Sequence, residues 1–211
     1  MSQNSKPTGF LGKLHARGMA WGHRHFYSNT ARVLALEIHD KYLEIGFGSG
    51  MFIKKYAWHA SKITGLDISE DMVQLASGVN RDLVNSGKAE FRHGDVSSLP
   101  WPDNSFSAVA GIETFFFWPE PDKALREIHR VLEPGGRLVL EMAFNKEDGL
   151  DHSGTAQKMN LKQYSAEEMK ILLASAGFTH IIFDYYRCIW VPFKGYVVPK
   201  GMIVKAIKKS L

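Results

Sequence analysis

The residues best suited to chemistry in this chain are a run of alternating glycines and a spaced set of acids. Gly46, Gly48 and Gly50 alternate with Phe47 and Ser49, and Glu44 stands two positions before the first glycine. Glycine adopts backbone conformations closed to other residues and lets a ligand approach the main chain closely. Asp67 follows the glycines by about 20 residues, the offset at which open α/β sheets place an acid on ribose hydroxyls. Asp95 lies in Gly94-Asp95-Val96, just past a third candidate strand. Glu113 closes a nearly all-apolar run, and Tyr27, His15, His23, His25 and His152 complete the groups able to move a proton. The sequence does not choose a base among these. A zinc site is not expected, because His23 and His25 are two apart with no cysteine or paired carboxylate nearby.

Regular elements must bring these groups together. Residues 42–45 read as a short strand that runs into the glycine turn, and 51–59 as the helix after it. That order points backbone N–H groups and a positive helix end at a ligand. Residues 62–69 form a second strand ending in Asp67, with Ser69 capping a helix that extends to about residue 85. With Ser69 as the cap, Asp67 is left for a ligand. Residues 89–93 make a third strand, and Pro100 and Pro102 require a loop after it. Residues 106–113 are apolar enough for a central parallel strand. The sequence Thr114-Phe115-Phe116-Phe117-Trp118-Pro119 has two readings, an aromatic wall beside a substrate or core packing. A helix over 121–132 stops at Glu133-Pro134-Gly135-Gly136, and a fifth strand spans 137–142. The polar stretch 144–164 reads as a substrate-side flap. Ser165 and Glu168 form a capping box for a helix over 166–176, and strands follow at 179–189 and 201–208. Residues 10–38 carry one or two helices whose aromatics either pack on the sheet edge or form a lid with Tyr27 pointing inward.

Composition narrows the class. The chain has 211 residues, of which 45% are hydrophobic, as in an ordinary single globular domain. Cys188 stands alone, which excludes an internal disulfide framework and fits a cytoplasmic setting. No apolar run approaches the roughly 20 residues that span a bilayer, and the first thirty residues are too polar for a signal peptide. The net charge of +4 comes from basic residues near both ends and reads as solvated surface rather than a nucleic-acid face.

Glu44-Ile45-Gly46-Phe47-Gly48-Ser49-Gly50 resembles the E/D-x-G-x-G-x-G signature of class I S-adenosylmethionine-dependent methyltransferases. The Gly94-Asp95-Val96 segment is similar to their adenine-binding stretch. Leu125-Arg126-Glu127-Ile128-His129-Arg130-Val131-Leu132-Glu133-Pro134-Gly135-Gly136 resembles the E-x-x-R-V-L-x-P-G-G run of the small-molecule type, including ubiquinone and menaquinone biosynthetic enzymes. These motifs cover about residues 42–143 in the right order. The resemblance implies a doubly wound, mostly parallel seven-stranded α/β sheet of Rossmann-like form with N-terminal cap helices and an antiparallel finish. It implies S-adenosylmethionine as cofactor and S-adenosylhomocysteine as product. It assigns the cradle to Gly46, Gly48 and Gly50, the ribose to Asp67, and the adenine to Asp95 and the Val96 N–H. Glu44 is to act on the cofactor's amino group through water or loop hydrogen bonds. Ile68, Met72 and Ile112 are further cofactor-binding positions, and Glu113, Tyr27 and His152 are the catalytic candidates. One departure stands out: Ser107 follows Phe106 where the family usually has Asp, at a position of structural use.

The expected activity is therefore methyl transfer to a small molecule, by proximity and alignment. The expected division is 1–38 as cap, 39–143 as cofactor core, and 144–211 as flap, last helix and final strands. Rivals are an RNA or protein methyltransferase and a non-catalytic cofactor-binding subunit. A dinucleotide enzyme is disfavoured by Met51 where a third spaced glycine would fall. Ile112-Glu113-Thr114-Phe115 lacks the prolines of base-amino methylation, and Cys188 is far from the fourth strand. Neither a membrane nor an oligomeric state is implied.

Overall fold

The computed structural model describes residues 24–149, 161–187 and 200–210, with Gly154 and Gln157. Strands β1 (Lys41–Ile45), β2 (Lys62–Asp67), β3 (Ala89–His93), β4 (Phe106–Ile112) and β5 (Leu132–Met142) run parallel. β6 (Phe178–Tyr186) and β7 (Gly201–Lys208) join antiparallel, giving the order β3-β2-β1-β4-β5-β7-β6. The order reverses between β1 and β4, where open α/β sheets bind ligands beyond the strand carboxyl ends. β1 and β4 are buried almost throughout, as strands covered on both faces must be.

The helices are α1 (Arg24–Leu34), α2 (Glu70–Val79), α3 (Arg81–Asn85), α4 (Pro121–Val131) and α5 (Ala166–Ser175). α4 begins with a proline at its first turn and buries Ala124, Leu125, Ile128 and Val131 on one stripe. α5 has the expected capping box: Ser165 Oγ accepts from Glu168 N at 3.2 Å, and Ser165 N donates to Glu168 Oε2 at 2.8 Å. After the glycine turn the chain winds as a π-helix over Ile53–Ala57.

Several boundaries differ from those read in the sequence. The helix after Ser69 breaks at Asn80, whose Nδ2 donates to Gly50 O at 3.1 Å and to Ala76 O at 3.0 Å. Gly78, Val79 and Asn80 are weak helix formers, and the Asn80 side chain ties the end of α2 to the glycine turn. β5 begins at Leu132 because Phe106 pairs with Leu132, and a register shift before Ala108 absorbs the Pro-Gly-Gly turn. The leader, His15, His23, the flap centre with His152, and residues 188–199 lie outside the described residues.

α1 packs over β4, β5 and β7, with Phe26, Thr30 and Leu34 buried. Its carboxyl end is fixed by Arg137 of β5, which donates to Leu34 O at 2.6 Å and Ala35 O at 3.0 Å and pairs with buried Asp40. Ser107 Oγ donates to Asp40 Oδ1 at 2.6 Å and accepts from Lys41 N at 3.0 Å. The departure at Ser107 is thus absorbed by a structural network at the amino ends of β1 and β4.

Candidate functional site

The glycine turn leaves β1 with φ of 69° at Gly46, 53° at Gly48 and 72° at Gly50, all in the left-handed region. Two of the three are also demanded by packing. A Cβ at Gly46 would lie 2.4 Å from Thr114 Oγ1, and one at Gly50 would lie 2.7 Å from Asn80 Nδ2. A Cβ at Gly48 would meet nothing within 4 Å. Gly48 is therefore the point of the turn that borders open space.

Asp67 braces this turn. Its Oδ2 accepts from Gly48 N at 3.0 Å, and its Oδ1 accepts from Ser69 N at 2.9 Å. Ser69 makes no side-chain cap bond to α2, so Asp67 itself supports the helix start, contrary to the division of labour read from the sequence. Burial pushes the Asp67 carboxyl up to about 6, against the N–H bonds and the nearby His93. Ile68 is partly exposed beside it, while Met72 is buried in α2 and Ile112 at the end of β4.

Asp95 is exposed after β3, its Oδ1 accepting from Ser97 N and Ser97 Oγ, each at 2.8 Å. Val96 next to it is buried. The following loop is held from α4. Glu127 accepts from Leu99 N at 2.9 Å, and Arg130 donates to Leu99 O at 3.0 Å, Trp101 O at 2.8 Å and Asp103 Oδ1 at 3.0 Å. Arg130 and Glu127 are also paired through both carboxylate oxygens, each at 2.8 Å. The E-x-x-R motif thus steadies the loop that carries Asp95 and Val96.

The amino end of α1 covers a second group of acids. Glu44 is 2% exposed and accepts from Tyr42 Oη at 3.1 Å. Burial pushes its carboxyl up to about 8, opposed by the Tyr42 bond and reinforced by the Asp67 charge. Glu113 has φ of 55°, donates its N–H to Glu141 O at 3.0 Å and accepts from Ala143 N through Oε1. Glu141 is wholly buried in β5. Its Oε1 accepts from Tyr186 Oη, and its Oε2 has no hydrogen-bond partner among the described residues. Burial, then the Glu113 charge, drives the Glu141 carboxyl well above the usual carboxylate range. Tyr27 packs edge-on to Phe52 with centroids 5.6 Å apart. Burial, then Glu44, Glu141 and Glu113, push its phenol up.

The structure therefore brings Glu44, Glu113 and Tyr27 together, and adds Glu141, which sequence reasoning missed. Its signal was an acid inside the apolar run Leu138-Val139-Leu140-Glu141-Met142. Of the two aromatic readings, packing is the one the structure supports. Phe115 and Phe116 are buried, with Phe115 against Trp118 and Tyr164 at 4.9 Å each and Phe116 against Phe144 at 5.9 Å. Among the described residues no group of three His, Cys, Asp or Glu could hold a metal ion.

The open face at Gly48, Asp67 at the end of β2 and Asp95 after β3 lie at the strand carboxyl ends beside the reversal of strand order, where open α/β sheets bind ligands. Residues 43–140 match the family model described as a methyltransferase domain. The chain is 33% identical over 114 residues to the demethylmenaquinone methyltransferase of Clavibacter sepedonicus, covering 53% of this chain and 44% of that protein. The chain spans about half the length of the curated relatives it matches. Two solved structures share the fold. One is the chain described as a methyltransferase in a complex with the Haloferax volcanii Trm112 methyltransferase activator. It has a TM-score of 0.80 and 21% identity, with 94% of this chain and 95% of that one covered. The other is Haemonchus contortus phosphoethanolamine N-methyltransferase 2 in complex with phosphomonomethylethanolamine and S-adenosylhomocysteine. Its TM-score is 0.77 at 14% identity, covering 94% of this chain and 58% of that one. The residues present fit S-adenosylmethionine: a glycine turn open at Gly48, a carboxylate bonded to that turn, and an exposed carboxylate next to a buried apolar position.

Proposed function

We propose that this protein transfers the methyl group of S-adenosylmethionine to a small molecule. The open face of Gly48, tied to Asp67, is the observation that carries the proposal. Each Asp67 oxygen takes one backbone N–H and keeps a lone pair for a ribose hydroxyl. Asp95 receives the adenine amino group, and the Val96 N–H meets a ring nitrogen. Ile68, Met72 and Ile112 give the apolar surroundings, and Glu44 acts through the turn on the amino group. When bound, the cofactor supplies a methyl on a cationic sulfur, open to in-line displacement. The chain's own residues align the acceptor and exclude water. Tyr27, brought over Glu44 and Glu113 by α1, supports residues 1–38 as a cap on the 39–143 core, with 144–211 closing the acceptor side. Among the described residues no helix is long and apolar enough to cross a membrane, and a cytoplasmic enzyme fits the single cysteine.

The test is label transfer from methyl-labelled S-adenosylmethionine into a cell extract separated into small molecules, RNA and protein. Label among the small molecules is expected. Label in RNA or protein overturns the choice of acceptor. No label, with cofactor binding intact by calorimetry, points to a non-catalytic subunit.

A further inference from the structure

Glu141 is the least explained group in the molecule. An acid inside a central strand is rare unless paired, and buried polar atoms almost always find a partner. Glu141 Oε2 has none, and neither Glu141 nor Glu44 is bonded to a basic group among the described residues. The nearest arginine on that face of β5, Arg137, is committed to Asp40 at the other end of α1. Aromatic rings surround the acid. Tyr186 Oη holds its other oxygen, and the Tyr186 ring lies where Gly201 has no side chain: a Cβ there would fall 2.0 Å from ring carbon Cζ. Phe26 packs tilted against Tyr186 with centroids 5.7 Å apart, and Tyr27 follows it on α1. Glu141 pairs in register with Ile112, the residue before Glu113. The group therefore sits at the carboxyl ends of β4 and β5, one strand from the glycine turn.

We propose that Glu141 and Glu113, walled by Phe26, Tyr27 and Tyr186, seat the amine nitrogen of the methyl acceptor. A nitrogen bearing N–H groups gives Glu141 Oε2 the donor it lacks. A positive nitrogen is also stabilised by ring faces, an interaction that strengthens when water is excluded. A carboxylate-bearing acceptor is disfavoured at the same place by the Glu113 charge. The seat is built before any ligand arrives, because α1 and β6 position the rings independently of it. The proposal rests on the methyltransferase reading and narrows its substrate to amines.

Two protonated partners meet when an alkylammonium enters. The ligand-free carboxyl holds its proton because burial and Glu113 disfavour the second charge. The bound pair needs only the protons on nitrogen, so one proton passes to the buffer; before transfer the nitrogen returns one of its protons to the Glu141 carboxylate, which frees the lone pair that forms the new C–N bond as the C–S bond breaks. Calorimetry in two buffers of different ionisation enthalpy reads the proton release on binding directly.

The experiment titrates the S-adenosylhomocysteine-loaded protein at pH 7 with benzylammonium, methylammonium, benzyl alcohol and benzoate. Benzylammonium is expected to bind at least tenfold more tightly than benzyl alcohol, with release of about one proton, and benzoate not to bind. Glu141→Gln is expected to weaken amine binding at least tenfold and leave S-adenosylhomocysteine binding unchanged. Equal affinity for alcohol and amine, preference for benzoate, no binding of either amine, or full amine affinity in Glu141→Gln each overturns the seat. Should that variant not fold, the wild-type ligand series and proton count decide. Failure to bind S-adenosylhomocysteine strikes the methyltransferase reading instead, and the same amine titration without it still judges the seat.

Discussion

The two ends of α1 cover charge in opposite ways. At its carboxyl end Arg137 meets Asp40, with Leu34 O, Ala35 O and Ser107 completing the hydrogen bonds. At its amino end Glu44, Glu113 and Glu141 gather under Phe26 and Tyr27, and the phenols of Tyr42 and Tyr186 stand where a cation would serve better. One helix lies over both, so burial alone does not explain the difference. The paired end fixes the helix to the amino edge of the sheet. The acidic end lies at the carboxyl edge, where the glycine turn opens. Glu44 and Glu141 are buried there with no basic partner among the described residues, a costly arrangement for stability alone, which is why the amino end is the one proposed above to meet a ligand.

The sharpest way to break this contrast is at the paired end. Arg137→Met leaves Asp40 buried without its counter-charge and should cost about 3–5 kcal/mol in denaturant unfolding at pH 7. A loss below about 1 kcal/mol would place Arg137 among ordinary surface pairs. Next comes pH. At Asp40 burial raises the carboxyl, but bonds from Arg137, Ser107 and the Glu37 N–H win and hold it below its usual range. The unfolded chain keeps a proton there that the folded chain has released. Its stabilisation is present above the unfolded pKa and is lost as pH falls through the folded value. Glu44 works the other way. Between its ordinary value and about 8 the folded chain holds a proton that the unfolded chain has released, so rising pH favours unfolding. From pH 5 to 7 that group should remove about 2–3 kcal/mol of stability, a decline that Glu44→Gln abolishes. Parallel stability curves for the variant and wild type over that range would show Glu44 to be ionised in the free protein.

Legibility in the sequence followed the range of the interactions. The glycine turn, the acid after β2 and the acid after β3 are local patterns in a fixed order, and the strands that carry them lie where the residues place them. The capping box at Ser165 was equally local. Glu141 was not legible as part of a site, because its meaning depends on α1, β5 and β6 converging from distant parts of the chain. Ser69 does stand at the N-cap of α2, but without a side-chain cap bond; its own N–H goes to Asp67, a tie between the glycine turn and the helix start that a local capping rule does not register. The bond from Asn80 at the end of α2 to Gly50 is likewise one that no helix propensity registers.

The smaller predictions sharpen the ligand end. Asp67→Ala should weaken S-adenosylmethionine binding by about 1–3 kcal/mol in calorimetry, and unchanged affinity would remove Asp67 from the site. The glycines then separate packing from binding within one turn. Gly46→Ala and Gly48→Ala both force a side chain into the left-handed region, at about 1–2 kcal/mol each. Only Gly46→Ala also drives a methyl group to 2.4 Å from Thr114 Oγ1, so it should lose more stability in denaturant unfolding. Gly48→Ala meets only open space in the ligand-free chain. Its methyl should instead occupy the approach to the cofactor, so affinity should fall by more than the strain accounts for. Equal losses of stability in the two variants would mean that Thr114 yields freely. Undiminished cofactor affinity in Gly48→Ala would move the cradle away from Gly48, and with it the observation on which the methyl-transfer reading stands.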